Sequence, residues 1–580
     1  MQTGQSASRS GVRYEPNERP PRALTVGLGL QFTILCIAGV VLTPAIVVRA
    51  AGGSETYLSW AVFTAVAVSG ATTVLQAVRV GRIGAGYVLL MGTSGAFIAV
   101  CVAALAQGGP AMLATLVVIS SLFQFALAAR LSLLRRVLTP TVAGTVIMLI
   151  AVTVMPIVFD MLSQVPEGTT PLAAPVSALV TVLVIAGLAL KATGPLRLWA
   201  PVIGVVAGSL VAGAFGLYDA AAVGRAAWVG IPNTAWPGFD LSFGPVFWAL
   251  LPAFVFVTLV GAIETIGDGV AIQRVSWRRP RAVDFRAVQG AVAADGAGNL
   301  ISGLAGTVPN TTYSTSIAVT ELTGVGARGV GVAIGVIFVA LAFLPKALSA
   351  VLAIPPPVAS AYITVLLAML FVTGMKMVIQ DGIDYRKGLV VGVSFWAGVG
   401  FQGGVIFPEY FAEFAGGLLQ NGMTAGGLVA ILMTLFMEIT APRRRRLEVE
   451  ADLANLPTIN EFLATFARRN GWDAAMAQRL EAAGEETLAS LVDQEGAAAR
   501  RRLLIVARKE DGGALLEFIA STGQDNLQDR LALVDAHSAE VPDEREISLR
   551  LLRHLASSVR HEQYHDTEIV TVRVDPQRAP

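Results

Sequence analysis

The chain reads as an all-α polytopic membrane protein with about fourteen transmembrane segments in two inverted repeats of seven, followed by a soluble α+β domain. Three observations predict this class. Only 14% of the 580 residues are charged while 54% are hydrophobic, and mean hydropathy is +0.65; soluble domains carry about 25% charged residues. The charges crowd into the two ends and are sparse from 23 to 440. Within that stretch, apolar runs of membrane length recur at short intervals, and two of them are interrupted by Gly, Ser and Thr.

The runs fall near 24–48, 57–77, 84–106, 110–129, 140–162, 174–190, 200–217, 245–272, 287–304, 306–323, 329–353, 357–378, 388–407 and 414–438. Connections that would be cytoplasmic if the N-terminus is inside hold Arg79 and Arg82, then Arg130, Arg135 and Arg136, Lys191 and Arg197, the cluster Arg274 to Arg286, Arg328, and Lys376, Arg386 and Lys387. Arg443 to Arg446 follow the last run. The opposite connections hold mainly Arg49 and Arg225 with several carboxylates. This positive-inside bias predicts an even number of spans in a cell inner (plasma) membrane, with both termini cytoplasmic. Residues 1–22, polar and rich in Arg and Pro without a short apolar core, read as a disordered cytoplasmic tail rather than a signal peptide. Residues 23–440 read as a transmembrane domain, 441–457 as a basic linker and 458–580 as a cytoplasmic domain.

The interrupted runs occupy matching places in the two halves. Near the third segment stands YVLLMGTSGAF (Tyr87 to Phe97), and near the tenth GTVPNTTYSTSIAV (Gly306 to Val319). A repeat of odd length places the second half upside down, so paired breaks point to a midplane site between two half-helix N-termini. Close helix packing through small residues is the alternative. After Pro309, the run Asn310 to Ser316 can open such a half-helix, whose free N–H groups and dipole favour a carbonyl oxygen or an anion.

Glu264 and Asp268 lie four residues apart in the eighth segment, hence on one helix face, with no Lys or Arg in the apolar part of that segment. Two carboxylates this close in a low dielectric cannot both ionise cheaply, which suits proton coupling. A carboxylate also accepts hydrogen bonds from the N–H groups of a heterocycle, two at once where they are adjacent. A structural pair bonding a neighbouring broken helix is the other reading. Asp295, among small residues in AADGAGN, reads as structural, and Glu321, near Arg328, as solvated or paired.

Cys36 and Cys101 lie in apolar runs and read as core thiols. All four histidines (His537, His554, His561 and His565) are in the tail, so the membrane part has no imidazole for a relay or a metal. No metal or cofactor is expected. The net charge of +1 gives no indication of nucleic acid.

These residues resemble the nucleobase–ascorbate (nucleobase:cation symporter 2) transporter family of uracil, xanthine and uric acid permeases. Glu264-Thr-Ile-Gly-Asp268 is similar to its E-[ST]-x-G-D motif. TVPNTTYSTSIAVTELTGVGAR resembles its tenth-span signature, P-N-T-T-[YF] followed by [QE]-N-x-G and T-[RKG], and GLGLQF (Gly27 to Phe32) resembles its G-L-Q-H. The resemblance implies fourteen spans in which one to four and eight to eleven form a core and the rest a gate. Alternating access then arises as core moves against gate, often in a homodimer. It implies uptake of a nucleobase-like substrate driven by a proton or sodium gradient, with Glu264 binding the base and Asp268 shaping the site or the coupling. By position, Gln31, Gly95, Phe97, Thr315 and Ser316 would join the substrate site.

The pattern is not kept throughout. Thr315 stands where the family has Gln or Glu, Ser316 where it has Asn, Ala318 where it has Gly, and Phe32 where it has His. The third-span G-[ST]-S-F-A-F reads GTSGAF, so Gly95 replaces a frequent stacking phenylalanine. Glu321 does not compensate, since six residues at about 100° each turn it away from the face of Thr315. One polar clamp is kept, and the substrate is expected to be larger or different, or transport to be weak or absent.

The tail has soluble periodicities: helices over 458–470 and 474–493, a hairpin of RLLIVARK and ALLEFIAS around Gly512 and Gly513, a helix near 544–560 and a strand TEIVTVRV. LPTINEFLATFARRNGWDAAMAQRLEAAGEETLASLV resembles the anti-sigma-factor branch of the GHKL ATPase fold. Its nucleotide motifs look degenerate: Ser490 takes the place of the metal-binding Asn after Glu485 and Glu486, and Glu546 and Ser548 those of the phosphate-loop glycines. Without those glycines the backbone cannot approach phosphates closely. The tail is therefore read as a regulatory domain for a cytoplasmic protein partner.

The functional expectation is a secondary transporter, not an enzyme, in contact with membrane lipid, for a heterocycle such as xanthine, uric acid or uracil. The alternatives are a ligand sensor signalling through the tail and an anion transporter of the sulfate-permease type, in which a pocket carboxylate would be unhelpful.

Overall fold

The computed structural model describes residues 11–131, 139–233, 235–279, 281–380, 382–407, 409–410, 421–440, 444–492, 502–510, 512–520, 551–565 and 567–576. They fall into two compact units. One comprises the described residues of Gly11–Ser276 with Ala287–Met437, and the other those of Glu438–Pro580 with Trp277–Arg286.

The first unit is built from apolar helices. They begin with α1 (Arg22–Ala50) and α2 (Glu55–Val78), the second capped by the Ser54 hydroxyl accepting from Tyr57 N at 3.2 Å. The third and fourth apolar runs join as α3 (Ile98–Ala129), broken at Gly109 (φ +75°) ahead of Pro110. Glycine alone adopts that φ at no cost, and the proline cannot donate back into the preceding turn, so the helix bends there. Helices α4 (Pro140–Asp160), α5 (Ala173–Lys191), α6 (Pro195–Ala214), α7 (Pro245–Ser276) and α8 (Phe285–Ala305) follow. After a short half-helix α9 (Thr315–Thr323) come α10 (Arg328–Ala342), α11 (Pro345–Leu352), α12 (Pro356–Gln380), α13 (Tyr385–Gln402) and α14 (Gly422–Thr440). Among the described residues, nine helices are long and apolar enough to cross a membrane. A tenth arises if α10 and α11, bent by 88°, are one span. The ninth and tenth apolar runs do not pass that test, because α8 carries Asp295 and many small residues and α9 has only 9 residues.

This unit is not wholly helical. Strand β1 (Leu90–Thr93) pairs antiparallel with β2 (Asn310–Tyr313), in the register Leu90 to Tyr313, Met91 to Thr312, Gly92 to Thr311 and Thr93 to Asn310. Extended backbone buried in protein must find partners, and the two breaks satisfy each other. Gly92 is required by the crossing: a Cβ there would strike the Tyr313 ring. The Tyr313 hydroxyl in turn donates to Thr93 O at 2.9 Å. Past the crossing the chain turns into helix on both sides, through a 3-10 turn Gly95–Phe97 into α3 and through Ser314 into α9.

Part of the N-terminal segment is ordered, contrary to its composition. Arg13 N and Tyr14 N both donate to Gly324 O at 2.7 and 3.0 Å, Gly326 N donates to Tyr14 O at 2.8 Å, and Arg328 N donates to Pro16 O at 3.0 Å. Backbone-to-backbone pairing needs no apolar side chains, which is why a polar sequence does not reveal it. Residues 1–10 of the expected tail lie outside the described residues.

The second unit holds a five-stranded antiparallel sheet in the order β3 (Arg445–Glu450), β4 (Arg502–Glu510), β5 (Gly513–Ala520), β7 (Glu568–Val574), β6 (Ser558–Gln563). Helices α15 (Leu456–Arg469) and α16 (Ala474–Val492) contribute Ile459, Leu463, Phe466, Leu480 and Leu488 to one core with Leu503, Ile505, Leu516, Phe518, Val570 and Val572. The hairpin turns at Gly512 (φ +83°), as expected. Two strands depart from the sequence reading. The basic linker contains β3, where Leu447 and Val449 alternate with charged residues; the arginine run hides this period of two. The helix expected over 544–560 is helical at 551–555 and yields to β6, whose inward residues His561 and Gln563 are polar, with His561 Nε2 3.2 Å from Glu568. Glu546 and Ser548 lie outside the described residues.

Candidate functional site

The site is assembled where α7 passes the β1–β2 crossing. Asp268 and Glu264 project from one face of α7, and Asp268 is held first. Its two carboxylate oxygens accept from Thr312 Oγ1 and Ser314 Oγ, each at 2.7 Å. Thr312 is in β2 and Ser314 at the head of α9, so this carboxylate fastens α7 to the start of the half-helix. Asp268 is 6% exposed, which favours the structural reading of that residue.

Asp295 is held on the opposite flank. From α8 its Oδ2 accepts from Thr265 Oγ1 of α7 at 2.8 Å and from Gln124 Nε2 of α3 at 2.6 Å. Asn299, one turn along α8, donates from Nδ2 to Gln124 Oε1 at 2.7 Å and accepts from Asn310 N at 2.6 Å. Asp295 is fully buried, and its Oδ1 has no hydrogen-bond partner among the described residues. The sequence reading placed Asp295 among structural residues and did not single out Gln124, Thr265 or Asn299. Polar side chains at buried positions of apolar segments were the available signal.

Glu264 differs from both. It lies within electrostatic reach of Asp268 and Asp295, yet it is half-buried and has no hydrogen-bond partner among the described residues. A carboxylate with accessible surface beside two engaged ones has its acceptor capacity uncommitted among the described residues.

The remaining expected site residues separate into two groups. Thr315 is half-buried, with its side chain near the Cys36 thiol of α1. Gly95 is half-buried, and a Cβ there would meet nothing within 4 Å, so open space adjoins it. Thr315 thus keeps accessible surface, and Gly95 adjoins free volume. Ser316 is fully buried; it accepts from Leu90 N at 3.3 Å and donates to Tyr313 O, so its hydroxyl serves the backbone of the crossing. Phe97 is 2% exposed, with its ring against Gly261 and 6.3 Å from Phe254, and it packs α3 onto α7. Gln31 is half-buried on α1. It lies five residues, or about 140°, from the face on which Cys36 meets Thr315. Glu321 is exposed, as expected.

The permease family profile for xanthine and uracil permeases matches residues 24–404. The chain is 26% identical over 423 residues to a putative purine permease, CPE0397, of Clostridium perfringens (strain 13 / Type A), covering 71% of this chain and 89% of that one. It is 26% identical over 447 residues to the xanthine permease XanP of Escherichia coli (strain K12), covering 73% and 94%. Among solved structures, the transmembrane domain of the cyanobacterial bicarbonate transporter BicA is similar with a TM-score of 0.46 at 16% identity, covering 72% of this chain and 99% of that one. With its carboxylate-bearing α7, its paired breaks and a family profile running from α1 through α13, the chain belongs to the xanthine/uracil permease family of nucleobase–ascorbate transporters.

Proposed function

We propose that the protein carries a nucleobase-like heterocycle such as xanthine, uric acid or uracil across the inner membrane by proton-coupled alternating access. One observation carries the reading: of the three carboxylates around the crossing, Glu264 alone has both accessible surface and no protein partner among the described residues. Adjacent ring N–H groups can donate to both of its oxygens, while the N-termini of α3 and α9 face carbonyl oxygens across the ring. Relatives named as purine and xanthine permeases support this substrate class.

The same reading takes the fourteen apolar runs as two inverted repeats of seven, in a core and a gate, with both termini cytoplasmic. The pairing of β1 with β2 supports it, since each strand precedes a half-helix in its own repeat. The tail would be regulatory. Its order of strand, two helices and hairpin supports the GHKL resemblance, and the Ser490 hydroxyl, at the metal-ligand position, donates to Glu486 O of its own helix at 2.7 Å.

Counterflow of radiolabelled xanthine, uric acid and uracil in proteoliposomes tests the reading. Exchange of at least one is expected. Binding of a nucleobase without counterflow would identify a sensor instead.

A further inference from the structure

The orientation of two buried side-chain amides is fixed by the backbone. Asn310 N–H is a donor that cannot reverse, and it points to Asn299 at 2.6 Å, so the Asn299 oxygen must face it. Asn299 therefore turns its NH2 to Gln124, which must present its own oxygen, at 2.7 Å. The Gln124 NH2 is left facing Asp295 Oδ2, at 2.6 Å. Three donors thus run in one direction, from the first residue of β2 through α8 and α3 to one carboxylate. All four residues are buried, between 0% and 3% exposed.

Among the described residues Asp295 has no cation as a partner. The titratable groups acting on it stand on α7: Asp268, and Glu264, which interacts with it in turn. From α3 it meets neutral Gln124, and α7 adds the Thr265 hydroxyl. Its Oδ1 is without a partner among the described residues, so a proton can reside there without displacing any of the hydrogen bonds above. In its charged form the carboxylate depends on the Gln124 and Thr265 donors, because a buried charge is tolerable only when hydrogen-bonded.

We propose that Gln124 is a positioning residue that links the ionisation of Asp295 to the start of the second half-helix through Asn299 and Asn310. The inference rests on the transport reading only for its consequence. A change of proton occupancy at Asp295 would alter the pull on Asn310, where β2 leads into α9, and so reach the ligand side of the crossing. The link itself is a property of the unliganded protein.

The test uses full-length protein with Gln124→Met, which keeps the length of the side chain and removes its donor and acceptor, and Gln124→Glu, which donates to Asp295 only while it carries a proton. Thermal unfolding of the ligand-free protein in detergent is followed from about pH 5 to 9, in parallel with xanthine counterflow. The expected result is a loss of melting temperature in Gln124→Met that is small at acid pH and grows as pH rises, because the ionised form lacks its donor. Gln124→Glu should match wild type at the acid end and fall away above it. In counterflow, the pH profile of Gln124→Met should move by about one unit toward alkaline pH, the order expected when a donor to a buried carboxylate is lost. A deficit equal at every pH in both variants would make Gln124 a packing residue and overturn the proposal. If wild type transports no nucleobase but the pH-dependent deficit is present, the link stands and the transport reading fails.

Discussion

The Thr312 hydroxyl lies 2.7 Å from an Asp268 carboxylate oxygen, joining the strand that crosses the first break to the helix that carries Glu264. Ser314 reaches the other oxygen at the same distance, so a single side chain sets the position of the half-helix relative to Glu264. Through these two bonds Asp268 fastens its helix to β2 and the head of α9.

Replacing it should therefore act on stability first. Asp268→Ala removes the acceptor of two hydroxyls, at about 1 to 3 kcal/mol for each hydrogen bond to a charged group. A clear drop in melting temperature and near-complete loss of uptake are expected. Asp268→Asn keeps one acceptor oxygen and should retain part of both. Thermal unfolding and counterflow measured on the same preparations check this. Full stability with loss of transport in Asp268→Ala would instead assign Asp268 a direct role.

The crossing of β1 and β2 makes a second prediction. Gly92→Ala drives a methyl group into the Tyr313 ring, and overpacking of a tight core costs about 1 to 3 kcal/mol. Tyr313→Ala in the same chain frees that space at the expense of the hydroxyl bond to Thr93 O. The double variant should be destabilised by less than the sum of the single changes, as a double-mutant cycle of melting temperatures would show.

Thr315 and Ser316, adjacent in sequence, should behave differently. Ser316→Ala leaves Leu90 N without its acceptor, so stability should fall by about 1 to 3 kcal/mol while the order of preference among nucleobases is unchanged. Thr315→Gln, which places a longer polar group beside open space, should change that order with little loss of stability. Competition of unlabelled purines and pyrimidines against labelled xanthine separates the two effects.

Much of this was legible in the sequence because membranes leave few options. Carboxylates at 264 and 268 without a nearby cation, and breaks at matching places in two halves, each point to one site, and the structure brings them together. Other features were hidden for identifiable reasons. Ser316 and Phe97 match substrate-binding positions by motif, but a motif does not say whether a hydroxyl or a ring faces the pocket or the backbone behind it. Asp295 read as a structural residue because its partners are distant in sequence, 171 residues for Gln124 and 30 for Thr265. Strand β3 was obscured by the arginines around it, and the pairing of Tyr14 with Gly324 leaves no side-chain pattern.

The central claim is that Glu264 is the group that accepts the ligand. Its most direct test is pH-dependent uptake of labelled xanthine, uric acid and uracil by Glu264→Gln in proteoliposomes, beside wild type with matched protein content and melting temperature. Because Glu264 has no protein partner among the described residues, the substitution should leave expression and melting temperature near wild type and abolish pH-dependent uptake. Undiminished uptake in Glu264→Gln would contradict the account.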